Sequence, residues 1–129
     1  MDYSLLKPGH SLTPRRVNLS QKAVTDYIQA VGDDSPLYTH HSLVPPSALV
    51  ALGLKGIIGE LSIPGGTIHA GQEVEFYRAV ETDQELSCLA IIAQNAVRGQ
   101  WRFLTIDFSL QDVEGRLVMK GKSTILLPV

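Results

Sequence analysis

Few residues in this chain combine a type and a spacing that could do chemistry, and most of them sit in two short stretches. The first is Asp33-Asp34-Ser35-Pro36, followed by Tyr38, His40 and His41. In a turn, Asp and Ser ordinarily hydrogen-bond their own backbone. A carboxylate there could also hold and activate a water if a second polar group helped it. Spacing leaves both readings open. The second stretch is His69, which follows the turn Pro64-Gly65-Gly66 and precedes Glu73 and Glu75. Strict alternation puts His69 on the polar face with the two glutamates, as a surface histidine; a bulge at Gly71 would turn it inward.

Other chemistries find no support. GLKGIIGE spaces its glycines by three, follows no strand, and matches neither nucleotide-binding loop. There is no serine-nucleophile elbow and no HExxH pair. His40 and His41 are adjacent, so on a regular element they diverge and cannot share a metal. The single cysteine, Cys88, excludes an internal disulfide and a cysteine-cluster zinc site. Within its apolar stretch it reads as a small buried hydrophobe. With 11 basic and 13 acidic residues the net charge is −2, so no global field draws nucleic acid. No apolar run reaches the roughly 20 residues of a membrane span. The start, MDYSLLKPGH, lacks the basic-then-apolar order of a secretory signal, so a cytoplasmic location is expected.

The elements that must position these residues follow from periodicity. The chain's 129 residues, 44% hydrophobic and 19% charged, suit one domain over 1–129 with a largely aliphatic core. Gly9–Asn18 is a leading segment with room for one short strand. Ser20 is a helix N-cap, and Val24, Tyr27, Ile28 and Val31 mark one helical face that Gly32 ends. Residues 33–46 are turn-rich. A second helix opens at Pro46 and runs to Gly59, apolar nearly all round and so buried on most sides. Gly53, Gly56 and Gly59 would form a bare strip along it.

From Thr67 the period becomes two. Ile68, Ala70, Gln72, Val74 and Phe76 fall on one face and His69, Glu73, Glu75 and Tyr77 on the other. Leu86–Ala93 is apolar on both faces, as in a central strand. Leu104 to Leu110 and Leu117 to Leu127 alternate, with hairpin signals at Arg98-Gly99 and Val113-Glu114-Gly115. The result is an α+β chain: one short strand, a helix, a loop, a buried helix, then about four long antiparallel strands wrapped around that helix.

With the elements in place, the chain resembles a known family. YIQAVGDDSPLY is similar to the hydratase motif of hot-dog proteins, and PPSALVALGL resembles the start of the hot-dog helix. PGGTIHAGQEVEFYRAV resembles the lead strand in the N-terminal half-domain of hydroxyacyl-thioester dehydratases. The family is the MaoC-like dehydratases, which include R-specific enoyl-CoA hydratases. The resemblance implies a single hot-dog fold and pairing of two such folds, as a homodimer or with a second hot-dog subunit. It also implies a tunnel for an acyl thioester of coenzyme A or acyl carrier protein. No cofactor is implied, because the substrate carries the coenzyme.

The family's aspartate maps onto Asp33, and its asparagine position onto Ser35. Its histidine position maps onto Tyr38, and a phenol exchanges protons at neutral pH far less readily than an imidazole. His69 or His40 would then supply the second catalytic group. Ser35, Pro46, Ser47 and Gly66 are the implied substrate-binding positions. The free N–H groups of the helix starting at Pro46-Ser47 suit a thioester oxygen. Halves with such a variant resemble the non-catalytic partner of a double hot dog.

Two alternatives stand beside this. A hot-dog thioesterase would use a carboxylate near the central helix, where only Glu60 is available, at the helix end whose dipole opposes it. A non-catalytic acyl-thioester binding module would bind without turnover. Arg78, Arg98, Arg102, Lys120 and Lys122 read as solvated charges that could meet coenzyme phosphates, and Trp101 as packing.

Overall fold

The computed structural model describes residues 1–129. Helix α1 (Gln21–Val31) begins where Ser20 Oγ accepts from the Ala23 N–H, and it ends at Gly32 in the left-handed conformation. Val24 and Ile28 are buried, but Val31 is 57% exposed, so the expected apolar face is one turn shorter than its spacing predicts. The turn-rich stretch contains a single turn of helix, α2 (Pro36–Thr39), too short to leave a periodicity.

Helix α3 (Pro46–Leu61) runs two residues past Gly59. It buries Ala48, Leu49, Gly53, Ile57 and Leu61 along one side and turns Lys55 outward; Ala51 and Ile58 are exposed, so it is not buried on most sides as its composition predicts. The expected glycine strip is only partly used. A Cβ on Gly53 would lie 3.1 Å from the Phe108 ring, Gly56 sits against the Arg15 side chain, and Gly59 faces open space. A spacing of three drifts around a helix of 3.6 residues per turn, so the three glycines do not share one line.

The sheet has five antiparallel strands: β1 (Arg15–Val17), β2 (Ile68–Phe76), β3 (Leu86–Arg98), β4 (Trp101–Asp112) and β5 (Leu117–Pro128). Their order is β1-β3-β4-β5-β2. One face packs on α3 through Cys88, Ile92, Leu104, Ile106, Phe108, Leu110 and Met119, all buried. The other carries Asp107, Lys120 and Lys122. Leu86–Ala93 is apolar on both faces as expected, but its outer side is open to solvent, with Leu89 40% and Ile91 39% exposed. A broad depression of about 920 Å³ lies on this outer face between Glu73, Leu89, Ile91 and Lys122.

The two edges of the sheet are treated differently. Beside β3, residues 9–12 add backbone bonds (Gly9 N–H to Ile92 O, Ile92 N–H to His10 O, Leu12 N–H to Ala90 O), and β1 is only three residues long. Beside β2 there is nothing, and eight of its nine residues are exposed.

Two local interactions fix the sheet. The Phe108 ring lies between two glycines, because a Cβ on Gly121 of β5 would come within 2.7 Å of it, as Gly53 would from the helix side. At the β4–β5 turn, Asp112 Oδ1 accepts the N–H groups of Glu114 and Arg116, and Oδ2 accepts from Arg116 Nε at 2.8 Å. Burial works to raise the Asp112 pKa. The bonds from Arg116 and Glu114 and the guanidinium charge outweigh it, holding the carboxyl below its ordinary range.

Two outcomes are expected. Gly121→Ala should destabilise the fold by about 1–3 kcal/mol through overpacking. Phe108→Leu in the same chain should return about 0.5 kcal/mol or more of that as a coupling energy in denaturant titrations. For Asp112, a depressed folded pKa means that its stabilisation is complete at neutral pH and is lost as pH falls through that value. The melting temperature of Asp112→Asn should therefore lie below wild type at pH 7 and converge with it under acid conditions.

Candidate active site

The candidate residues fall into two clusters. The first is built on the α1–α2 turn. The Asp33 N–H closes α1 by bonding Ile28 O, and Asp33 Oδ1 accepts from the Ser35 N–H at 2.9 Å. Ser35 Oγ in turn accepts from the Leu37 N–H, and Ser35 O from the Tyr38 N–H at 3.1 Å. Asp33 and Tyr38 are thus tied into one turn through Ser35. The Asp33 side chain is exposed, while Tyr38 is half-buried with its ring against the core. His40 caps the C-terminal end of α2 and is exposed, as is His41; neither bonds to Asp33 or Tyr38.

This turn leads into α3, which has Pro45 as its N-cap and no side chain capping its first turn. Pro46 stands at the first helical position, as expected. Ser47 Oγ pairs with the Tyr27 hydroxyl at 2.5 Å, which pins α1 to the start of α3.

The second cluster lies beside the C-terminal half of α3. Strict alternation fails in β2: His69 pairs with Ile125 but Gly71 with Thr124, so Ala70 is an extra residue in a β-bulge. The bulge puts His69 on the same face as Gln72, Val74 and Phe76, toward α3 and away from Glu73 and Glu75. The strict-alternation placement of His69 on the surface face is thereby corrected, as is the grouping of Ile68 and Ala70 with Val74, while the inward turn by a bulge holds, with Ala70 the extra residue next to Gly71.

His69 Nε2 lies 3.1 Å from the Ser123 Oγ, which is buried on β5. The Ser123 hydroxyl donates to Gln72 Oε1, and Gln72 Nε2 donates to the carbonyls of Glu73 and Lys122. With its own proton committed to Gln72, Ser123 accepts from His69 Nε2–H, and Nδ1 is the free acceptor of the neutral ring. His69 and Ser123 border an apolar cavity of about 300 Å³ with Ile57, Ile58, Leu61 and Ile63. Gly66, in the left-handed conformation at φ 87°, closes one side of it.

Periodicity alone passed over Ser123 and Gln72. Their only signal was small polar residues on otherwise apolar inward positions.

The structure does not bring the two clusters together within one chain. The first leads into the start of α3, whereas the second packs against its last turns from Leu54 to Leu61. The cavity beside His69 includes neither Asp33 nor Tyr38. No three His, Cys, Asp or Glu side chains converge as metal ligands.

Several of the remaining candidates have structural partners. Glu60 accepts from the Thr13 N–H and from Arg15 Nη2 at 2.8 Å, so this carboxylate is engaged. Cys88 is buried, with its thiol pKa raised by burial and offset only in part by Arg15, as suits an inert thiol. Arg98 stacks over Phe103 at 5.3 Å, Arg102 bonds Asn95 Oδ1 at 2.7 Å, and Lys122 pairs with Asp107 at 4.0 Å.

The model of the FAS1-like dehydratase domain region matches residues 7–121, nearly the whole chain. The chain belongs to this FAS1-like dehydratase family. No functionally curated protein matches it. Solved structures with the same hot-dog fold include the R-hydratase PhaJ1 from Pseudomonas aeruginosa. It has a TM-score of 0.79 and 17% identity over 98% of this chain and 84% of that one. The (R)-hydratase from A. caviae involved in PHA biosynthesis aligns at 0.77 and 19% identity over 96% and 98%. The HadBC 3R-hydroxyacyl-ACP dehydratase complex from Mycobacterium tuberculosis aligns at 0.76 and 15% over 92% and 96%. At these identities the likeness establishes the fold.

In this FAS1-like dehydratase chain, the hydrogen-bond roles around His69 are directly measurable. Nitrogen NMR shifts of the neutral His69 ring should report the Nε2–H tautomer. Ser123→Ala should cost about 1 kcal/mol and shift the tautomer mixture. A dominant Nδ1–H form in the wild type would contradict the assigned direction.

Proposed function

We propose that this chain is a subunit of an enoyl-thioester hydratase or 3-hydroxyacyl-thioester dehydratase that works when paired with a second hot-dog chain. The observation that carries the proposal is the Asp33-Ser35-Tyr38 turn, leading into an uncapped α3 in a chain of the FAS1-like dehydratase family. In this reading the substrate is an acyl thioester of coenzyme A or acyl carrier protein. No cofactor is needed, and the setting is cytoplasmic.

The roles follow from the chemistry. Thioester polarisation falls to the Ser47 N–H at the start of α3, since Pro46 has no N–H and the Ala48 N–H bonds Pro45 O; a helix N-terminus stabilises developing negative charge on oxygen. Asp33 holds the water. In hydration the water oxygen bonds to C3 as the C2=C3 π bond breaks, the water's proton passes to Asp33, and C2 takes a proton from a second acid. Dehydration is the reverse, with hydroxide leaving C3 as water.

Tyr38 orients the water, and an imidazole must serve as the proton-exchanging partner, because a phenol is a poor proton carrier at neutral pH. His40 is the nearer candidate in sequence and His69 the better held. Ser35 keeps the turn in shape, and Gly66 shapes the acyl cavity. The thioesterase alternative loses support because Glu60 is held by Arg15 and the Thr13 N–H.

Enoyl-CoA absorbance gives the test. Purified chain should hydrate a short trans-2-enoyl-CoA, and Asp33→Ala should lower kcat/KM by about 100-fold or more. Tyr38→Phe should cost less, with binding of the thioester retained. Full activity in Asp33→Ala, or thiol release in place of hydration, would overturn the assignment.

A further inference from the structure

We propose that the site is shared between two copies of this chain: Asp33 and Tyr38 come from one, and His69, held by Ser123, from the other. The inference rests on the hydratase reading and deepens it by naming the partner and the missing imidazole.

The unpaired edge of β2 is where a second copy fits. The edge beside β3 is covered by residues 9–12 and blunted by the short β1, whereas β2 offers a full-length row of free backbone groups. Its terminal apolar side chains, Ile68 and Phe76, are 47% and 45% exposed. Antiparallel self-pairing about Gln72, the middle residue of the strand, sets Glu73 against Gly71 and Glu75 against Ile68. No like charges oppose each other. A two-fold axis normal to the sheet keeps both α3 helices on one side of the joined sheet, and the inner-face residues of both strands with them.

This pairing changes what His69 can reach. Within its own chain, His69 lies beside the C-terminal end of α3, far from Asp33. Antiparallel pairing about Gln72 sets the partner subunit's His69 beside Val74, about 15 Å further along the strand. That is the end at which the chain leaving β2 is bonded to the α2–α3 connection. Val44 N–H bonds Val80 O, Thr82 N–H bonds Ser42 O, and Leu43 bridges Glu81. Tyr38 joins the same connection through Leu37 O, which accepts the Leu43 N–H. The partner's His69 therefore approaches the Asp33-Tyr38 turn from the inner face. The bulge at Ala70 is what directs the ring to that face. The imidazole that Tyr38 displaces from the turn is restored in trans, with its Nε2 anchored on Ser123 and its Nδ1 free to exchange the proton at C2.

Mixed dimers test this. Asp33→Ala and His69→Gln homodimers should each lose about 100-fold or more in hydration. A heterodimer of the two variants, purified by two different tags, keeps one intact site of two and should recover about half of wild-type activity. If each site were built within one chain, both sites of the heterodimer would be broken and activity would stay at the level of the single variants, which would overturn the proposal.

A second readout does not depend on turnover. In a Cys88→Ser background, a Tyr38→Cys chain mixed with a His69→Cys chain should be joined by a short bis-maleimide into one covalent heterodimer. Joining without hydration by the wild type would defeat the hydratase reading and keep the shared arrangement. A wild-type chain that stays monomeric at micromolar concentration, or that pairs only with a different hot-dog chain, would overturn the choice of a second copy.

Discussion

The fold depends on how closely α3 approaches the sheet, and that approach is set at Phe108. Its ring fills the gap between Gly53 on the helix and Gly121 on β5, two positions where a methyl group would press into it. A larger residue at either would lift the helix off the sheet or tilt it. The α1–α2 turn leads into one end of α3 and His69 at the β2 bulge flanks its last turns, so any such shift would move both clusters of candidate residues. Stability and chemistry therefore share one packing constraint.

Much of the architecture was legible in the sequence because it rests on periodicity. The capped α1, the helix from Pro46, the four long strands and both hairpins follow from spacing and turn residues, though that helix is buried on one side only. What could not be read was whatever breaks a period. The extra residue Ala70 in β2 turns the face of every residue before it; Gly71 signalled that a bulge was possible, but only the strand register decides that His69 lies opposite Glu73 and Glu75. Residues 36–39 form a helix of one turn, shorter than any repeat. The glycines of α3 looked equivalent in sequence, yet only Gly53 meets Phe108, because equivalence depends on what lies opposite.

The candidate site was legible in its parts and not in its assembly. Asp33, Ser35 and Tyr38 share six residues of chain, so local sequence carries their relation, and the structure adds the bonds through Ser35. Ser123 and Gln72 take their meaning from a contact between strands distant in sequence. The separation of the Asp33 turn from His69 has no local signature. Tyr38 in place of a histidine looked like a defect in the turn. Beside an open β2 edge and an inward His69, it becomes a reason for the site to need two chains.

The central claim is that an acyl thioester lies between the Asp33-Tyr38 turn of one chain and His69 of another. The most direct measurement is a crystal structure of the protein with a non-hydrolysable enoyl-thioester analogue bound. The account predicts two chains joined along β2, with the carbonyl at the start of α3, the analogue's C3 facing Asp33, and its C2 facing the partner's His69. An analogue seated on the outer sheet face around Leu89 and Ile91, or held within one chain with no His69 from a second copy near it, would contradict it.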